Sequence, residues 1–515
     1  MKSIRLLTIV IVVCVVVAGF GCTATVPPTQ NQSAIKVTVL FFNDIHGHLM
    51  PFTVKTDHGK SEVGGIARMA TLIKKIRAEN EIKGAKTFLF VAGDILQGTP
   101  MSTVFHGEPD IQCMNSMKVD VMTVGNHEFD FGLQNFLRLK DLATFPFISA
   151  NIIRKKSGNR LCDPSVSFKL SEKVNLSVIG VTTKLLLWTT RPDNVSELDV
   201  LEPVAAVKET YRSIQGDDPV ILLSHSKHET DLKIALSLPN LTAIIAGHDQ
   251  ILFDPIRTVG DVPVFQAFEK GKYLGRIDLE VDSISGQTRL VSHSYKLITK
   301  DIEPDKEIDE IVRTYYDRLG EKFKEVVGNT NVLLDGERER IRYEETNLGN
   351  FVTDVMLDYT GAEIALLNSG GLRASIDAGP ITVEDIFKVM PFANEIVLID
   401  ITGGELLQVL KRSVMGSRKD EDGGFLHVSG IRFTIKGHAV EEVNVGRDRL
   451  PLDSNKRYRV AITDFLASGG DGHTIFSGKT SEYTGSPLRE LIVDTIRNMG
   501  TITAKIDGRI KRMGE

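Results

Sequence analysis

The residue types able to do chemistry gather in five short clusters. They are Asn43-Asp44-Ile45-His46, Gly93-Asp94, Gly125-Asn126-His127-Glu128, Ser224-His225 and Gly247-His248-Asp249-Gln250. Each follows directly on an apolar, β-branched run, at 37–42, 87–91, 121–124, 220–223 and 242–246. Taken singly they are weak signals. An Asp-x-His pair such as Asp44/His46 is usually a solvent-facing loop pair, Gly93-Asp94 is a turn, and Asn126 can cap a helix. Together they place two Asp, one Asn, three His and a Gln just beyond buried strands. Burying that many polar groups is costly unless they share ligands. A mixed oxygen and nitrogen donor set suits zinc, manganese, iron or cobalt, and no thiolate set is present for a structural zinc.

The elements that must position these groups can be read from periodicity. Strand-like runs alternate with helical patterns; Ile66, Met69, Ile73 and Ile76 recur at helical spacing after the first run. That alternation argues for an α/β domain, where ligands sit beyond the carboxyl ends of the strands. Residues 251–300 read as strand-rich. From 305 to 324, Ile308, Ile311, Val312, Tyr315, Leu319 and Phe323 form one apolar face, so this stretch is an amphipathic helix, read as a domain connector. A second unit follows, mixing helical patterns (350–359, 404–414) with strands (395–401, 458–463). There is no internal repeat.

The order of these motifs resembles the calcineurin-like metallophosphoesterases. The longer strings Phe42-Asn43-Asp44-Ile45-His46-Gly47-His48 and Gly125-Asn126-His127-Glu128-Phe129-Asp130 are similar to the exported bacterial 5'-nucleotidase branch, and the resemblance covers the chain after its leader. It implies an α/β chain of two domains. The first is an N-terminal αββα sandwich (35–302). A linker helix (303–325) joins it to a smaller C-terminal α+β substrate-binding domain (326–515). It also implies two divalent metal ions, Zn, Mn or Co. Asp44, His46 and Gln250 would hold the first, Asn126, His225 and His248 the second, with Asp94 as bridge. The last motif varies in the family, so Gln250 leaves the preferred metal open. Two such cations clamp a phosphoryl group and acidify the attacking water. His127 would contact the substrate phosphate and help the leaving oxygen depart. Asp130 would fix the His127 tautomer; its alternative role is a helix N-terminal charge.

Four strings stand out in the second unit: Arg338 to Arg342 with Glu345-Thr346-Asn347-Leu348-Gly349-Asn350, Asn368-Ser369-Gly370-Gly371-Leu372-Arg373, Met390-Pro391-Phe392, and Phe465 to Gly472. Physically they supply what a nucleotide needs. Phenylalanines can stack on a base, a contact of about 1–3 kcal/mol. Arginines offer forked donors to phosphate oxygens, and an Asp can accept from ribose hydroxyls. Blander readings stay open on these residues alone: Phe392 as core, Arg338 and Arg340 as a solvated face, Asp471 as a turn residue. The resemblance implies that Phe392 and Phe465 stack on the base, Asp471 binds the ribose and Asn368 the base edge. Arg338, Arg342 and Arg373 would bind phosphate or terminal oxygens, and Arg340 is expected to be exposed. Substrate would reach the metals by domain rotation about the linker. The implied reaction is release of phosphate from nucleoside 5'-monophosphates. The alternatives on the same site are 2',3'-cyclic-nucleotide 2'-phosphodiesterase/3'-nucleotidase and UDP-sugar diphosphohydrolase. A binding lipoprotein with a dead metal site is disfavoured, because every ligand position carries a competent residue.

The 515 residues are 42% hydrophobic and 25% charged, with 61 basic against 67 acidic side chains. This excludes a disordered, collagenous or multi-span membrane protein. A net charge of −6 argues against a nucleic-acid polymer as partner. Lys2 and Arg5 precede an apolar run over 6–17 and small residues ending at Cys22, the layout of a secretory leader (1–22). Cys22 after Gly21 resembles a lipoprotein cleavage site, although Gly19 replaces the usual Leu. A polar, Pro-containing tether (23–34) would follow. The expectation is an exported lipoprotein, held on a membrane through lipid on Cys22 and facing the periplasm or cell exterior. Of the four cysteines, Cys14 lies in the leader, and Cys113 and Cys162 are either free thiols or one bridge. Oligomeric state is not readable.

Overall fold

A computed structural model describes residues 34–56, 59–214, 216–392 and 394–513. The expected leader, with Cys14 and Cys22, and all but the last residue of the tether lie outside the described residues.

Two six-stranded sheets form the first domain. One runs Thr288–Leu297, Tyr273–Asp282, Ala34–Phe42, Lys86–Val91, Val121–Thr123, Phe147–Ile148; the other runs Arg257–Val259, Val262–Phe265, Ala243–Ala246, Val220–His225, Asn175–Thr182, Ser165–Lys169. In the first sheet the four strands from Ala34–Phe42 to Phe147–Ile148 pair parallel and the two at the other edge antiparallel; in the second the four inner strands are parallel and both edge strands antiparallel. The pleat decides what each strand faces. Val37, Val39 and Phe41 meet Phe90, Val178, Ile221, Ile245 and Phe265 between the sheets. Leu40 and Phe42 point the other way, onto Ile66, Met69 and Ile73 of the helix Ile66–Ile82. Beyond the second sheet, Leu222 and Ile244 pack on Val207 and Ile234 of two further helices. The result is a four-layer αββα sandwich whose inner strands are buried on both faces, as near-continuous apolar strands require.

All five expected strands form, with ends shifted by at most three residues. The structure adds Asn175–Thr182, buried at all but its first residue. Its end carries Thr182-Thr183 and no ligand, so it left no cluster in the sequence. It is the strand that ties the sheets together. Thr182 Oγ1 donates to the Val124 carbonyl at 2.7 Å, and Asn151 Oδ1 accepts from the Thr182 amide at 2.9 Å. A Cβ on Gly180 would lie 2.5 Å from the Ile148 carbonyl oxygen, so only glycine permits this approach.

The connector is the helix Lys306–Leu319, capped by Asp305, followed by a 3₁₀ turn Glu321–Lys324. Ile308, Val312 and Tyr315 pack into the first domain's outer core, and Tyr315 Oη donates to Glu108 at 2.6 Å. The helix is therefore part of the first domain's surface. The chain leaves it at Gly320 and enters the second domain at the strand Val326–Thr330.

The second domain holds mixed sheets of five, four and three strands with helices. Two of its longer helices begin where side chains cap them: Thr346 starts Asn347–Thr360, and a Thr402/Glu405 capping box starts Gly403–Ser413. Cys113 and Cys162 are free and buried, which settles the open choice for that pair. Among the described residues no helix is long and apolar enough to cross a membrane.

Asp110 lies fully buried in the first turn of the helix Glu108–Ser116. Burial pushes its carboxyl up to about 8, with Ser102 beside it offsetting this only weakly. A carboxyl whose folded pKa exceeds its unfolded value contributes stability at low pH that is lost as pH rises. Asp110→Asn removes that loss. We expect the variant to be more stable than wild type by about 1–3 kcal/mol at pH 8 and to differ little at pH 4, measured by denaturant melts at both values.

Candidate active site

The clusters meet at the carboxyl ends of both sheets. Asp44 and His46 follow Ala34–Phe42, Asp94 follows Lys86–Val91, and Asn126 and His127 follow Val121–Thr123. His225 ends Val220–His225, and His248 and Gln250 follow Ala243–Ala246. On one side, His46 Nε2 lies 3.6 Å from Asp44 Oδ1 and 2.7 Å from Gln250 Nε2. On the other, His225 Nε2 lies 3.0 Å from Asp94 Oδ2 and 3.3 Å from His248 Nδ1. Ligand-type atoms of His46, Asp94 and His127 fall within 4.8 Å of one another, as do those of Asp94, His225 and His248. Asp94 belongs to both groups.

These residues fit a pair of divalent cations. Imidazole nitrogens of His225 and His248 face each other without an intervening acceptor. The buried Asn126 Oδ1 has no hydrogen-bond partner. A cation relieves both, and the oxygen and nitrogen donors are those of borderline divalent metals. His225 Nδ1 lies 2.8 Å from the Ala92 carbonyl, which places the proton there and leaves Nε2 for a ligand. Burial opposes charge on Asp94, but His225, His127 and His46 outweigh it and hold its carboxyl well below the ordinary range.

The backbone here is strained. Asp44, His46, Asp94, His248 and Gln250 all have left-handed φ, between 48° and 75°, a region non-glycine residues rarely adopt. Such strain persists only where the surroundings impose it, and it concentrates at functional sites. Glu128 does much of the imposing. Its buried carboxylate accepts from the amides of Asp94 (3.0 Å), Ile95 (2.9 Å) and Gly125 (2.7 Å). A Cβ on Gly125 would lie 2.2 Å from Asp94 Oδ1. Asn43 Nδ2 donates to Asp44 Oδ2 at 2.7 Å while its Oδ1 accepts from Ala267. Sequence reasoning assigned Glu128 no role, although it stands inside the quoted Gly125-Asn126-His127-Glu128 string.

His127 Nδ1 lies 2.5 Å from Asp130 Oδ2, so Asp130 serves the imidazole. Burial lowers the His127 pKa, but the Asp130 and Asp94 charges overcome it and leave it raised. The ring faces His46 at 5.0 Å and stacks on Phe392 of the second domain at 6.1 Å.

A cleft of ≈ 1820 Å³ joins the two domains, lined by Asp94, Asn126, His127, His248 and Gln250 on one wall. Arg338, Arg342, Asn368, Arg373, Phe392, Phe465 and Asp471 line the other. Asn368 Nδ2 donates to Asp471 Oδ2 at 2.8 Å. Arg412, not singled out beforehand, donates to the Asp471 carbonyl at 2.6 Å and pairs with Asp422. Arg340 is exposed and pairs with Asp335 and Glu344. The string 345–350 is structural. Glu345 accepts from Asn350 and from the amides of Asp507, Gly508 and Ile510, pinning the C-terminal segment.

Residues 37–251 match the calcineurin-like phosphoesterase family, and residues 326–478 match the 5'-nucleotidase C-terminal domain. The 5'-nucleotidase of Vibrio cholerae is 30% identical over 529 residues, covering 92% of each chain. The chain belongs to the 5'-nucleotidase family. Protein UshA of Escherichia coli is 29% identical, over 87% of this chain and 88% of its own. The crystal structure of a 5'-nucleotidase precursor from Thermus thermophilus aligns with a TM-score of 0.85 at 30% identity, over 93% of this chain and 100% of that one. As a 5'-nucleotidase family member the chain is a metal-dependent phosphoesterase, and its motif strings in both domains fall within the matched segments.

Asp130→Asn keeps the His127 ring near its place and removes the charge that raises its pKa. We expect kcat to fall about 10–100-fold. The alkaline limb of the kcat profile should move to lower pH, because the imidazolium then loses its proton earlier. A full pH–rate profile checks both.

Proposed function

We propose that the chain releases phosphate from nucleoside 5'-monophosphates outside the cytoplasm. The observation that carries this reading is one cleft with a cation-ready His/Asp centre on one wall and arginines, phenylalanines and an Asn368–Asp471 pair on the other. The 5'-nucleotidase name of the relatives from Vibrio and Thermus supports the 5'-monophosphate over a cyclic nucleotide or a UDP-sugar. Phosphoryl chemistry belongs to the first wall and nucleoside recognition to the second.

In this reading Asp44, His46 and Gln250 would hold one divalent ion and Asn126, His225 and His248 the other, with Asp94 within reach of both groups; Zn, Mn or Co would suit the donors. When bound, the ions supply positive charge to the phosphoryl oxygens and acidify a water. Arg338, Arg342 and Arg373 bind and orient the phosphate through forked donors. Phe392 and Phe465 stack on the base, Asp471 accepts from the ribose and Asn368 meets the base edge. His127, with its Nδ1 proton held by Asp130, keeps Nε2 for the departing oxygen. Both walls already share one cleft, so the domain rotation implied by resemblance is proposed for substrate entry and product release.

Purified protein should release phosphate from AMP in buffers supplied separately with Mn, Co, Zn or Mg. Chelator should abolish the activity, and Asp94→Ala should lower it at least about 10³-fold. A panel of AMP, 3'-AMP, 2',3'-cAMP and UDP-glucose fixes the reaction; an unchanged rate in Asp94→Ala overturns the site.

The proposed location rests on the leader and on Cys22. Palmitate labelling of the expressed full chain should mark wild type and fail in Cys22→Ala, with the variant recovered in a soluble exported fraction. Labelling of both forms, or of neither, refutes the anchor.

A further inference from the structure

We propose that Glu421 is a specificity-determining residue, a built-in counter-anion that sets how much negative charge the arginine wall accepts from a substrate. The inference rests on the reading of Arg338, Arg342 and Arg373 as the phosphate-binding groups.

The three guanidiniums crowd one region of the cleft. Burial lowers the pKa of Arg342, and the charges of Arg338 and Arg373 lower it further. Burial and Arg338 act the same way on Arg373. Like charges held together need a partner when no substrate is present. Glu421 provides it twice over. Its carboxylate pairs with Arg338 Nε, and its backbone carbonyl accepts from Arg342 Nη1 at 2.8 Å. Arg338 Nη1 meanwhile donates to Gln250 Oε1 at 2.5 Å, so the arginine that Glu421 holds also touches the metal wall.

Presenting side chain and carbonyl to two arginines at once takes an unusual backbone. Glu421 has φ of 45°, left-handed and non-glycine. Its loop is anchored on either side of the strained residue. Ser417 N donates to Asp420 Oδ2 at 2.6 Å. Arg412 binds the Asp422 carboxylate at 2.6 and 3.2 Å, and the Gly370 amide donates to the Gly423 carbonyl at 2.9 Å. The Glu421 side chain is 25% exposed. It is therefore a held group at the cleft and not a freely solvated surface acid.

The consequence is electrostatic. Glu421 offsets part of the arginine charge, alongside Asp471 near Arg342 and Asp130, Asp94 and Glu269 near Arg373, and a phosphate monoester brings roughly two negative charges of its own. A more highly charged diphosphate must bring extra charge up to Glu421. Glu421 thus favours monophosphates by repulsion, the unfavourable element that specificity requires.

The test uses the metal-loaded full chain and two ligands. AMP gives a KM, and ADP gives an inhibition constant against AMP whether or not it turns over. Glu421→Gln keeps the carbonyl contact and removes the charge. The ratio of the AMP KM to the ADP inhibition constant should rise about three- to tenfold at about 50 mM NaCl, and less at about 500 mM. Glu421→Ser, a second neutral variant, is read the same way if Glu421→Gln loses the wild-type melting temperature. Glu339→Gln, an exposed acid on the same wall, should leave the ratio unchanged. An unchanged ratio in the Glu421 variants overturns the proposal, and so does an equal rise in Glu339→Gln. If Arg342→Ala and Arg373→Ala leave the AMP KM unchanged, the phosphate-binding reading fails and takes this one with it. If they raise KM while the Glu421 variants keep the ratio, only the Glu421 role fails.

Discussion

The Asp94 carboxylate is the point on which the centre depends. It sits at the carboxyl ends of two stacked sheets, within reach of histidines from both. A buried carboxylate is costly by itself, and so are imidazoles crowded into the same buried place without acceptors of their own. Each solves the other's problem in part, and a divalent cation solves what remains. The requirement propagates outward. Glu128 must hold the Asp94 and Gly125 amides, glycine must stand at 125, and the turns after the strands must adopt left-handed geometry. The tight packing of Gly180 on Ile148 and the Thr182–Val124 bond keep the sheets at the separation that lets both contribute.

The second domain works on a different physical problem. It has no buried metal cluster among the described residues; it has an excess of guanidinium charge at one wall of an open cleft. That charge is restrained where Glu421 pairs with Arg338, Asp422 pairs with Arg412, and the Asp471 carbonyl accepts from Arg412. Exposed ion pairs elsewhere, such as Arg340 with Glu344, contribute little. The division matches the chemistry: a cation-ready centre for phosphoryl transfer, and a charged wall for recognition.

The α/β alternation was legible because buried strands announce themselves as apolar runs, and the ligand clusters because polar residues directly after such runs need a reason; the four-layer sandwich came from the family resemblance alone. Asn175–Thr182 escaped the second signal, since a strand that binds the sheets together through Thr182 looks like any other. Glu128 was visible yet unassigned: its function is to accept three amides, and amides have no letter in a sequence. The linker was read as an amphipathic domain connector; which domain its apolar face covers was not legible, and Ile308, Val312 and Tyr315 bury it against the first. The string 345–350 looked like part of a nucleotide pocket and proved to pin the C-terminal segment, because polar side chains serve backbone groups as readily as ligands.

By itself, then, the amino-acid order determined the alternation of strand and helix, the inventory of donors and the family. Those follow from local patterning, which neighbours along the chain suffice to define. Only the tertiary structure decided that donors come from two sheets, that Asp94 is shared, that Asp130 turns to His127, and that Glu421 sits between two arginines. Such relations depend on distances between residues far apart along the chain, and packing, not sequence spacing, sets those distances.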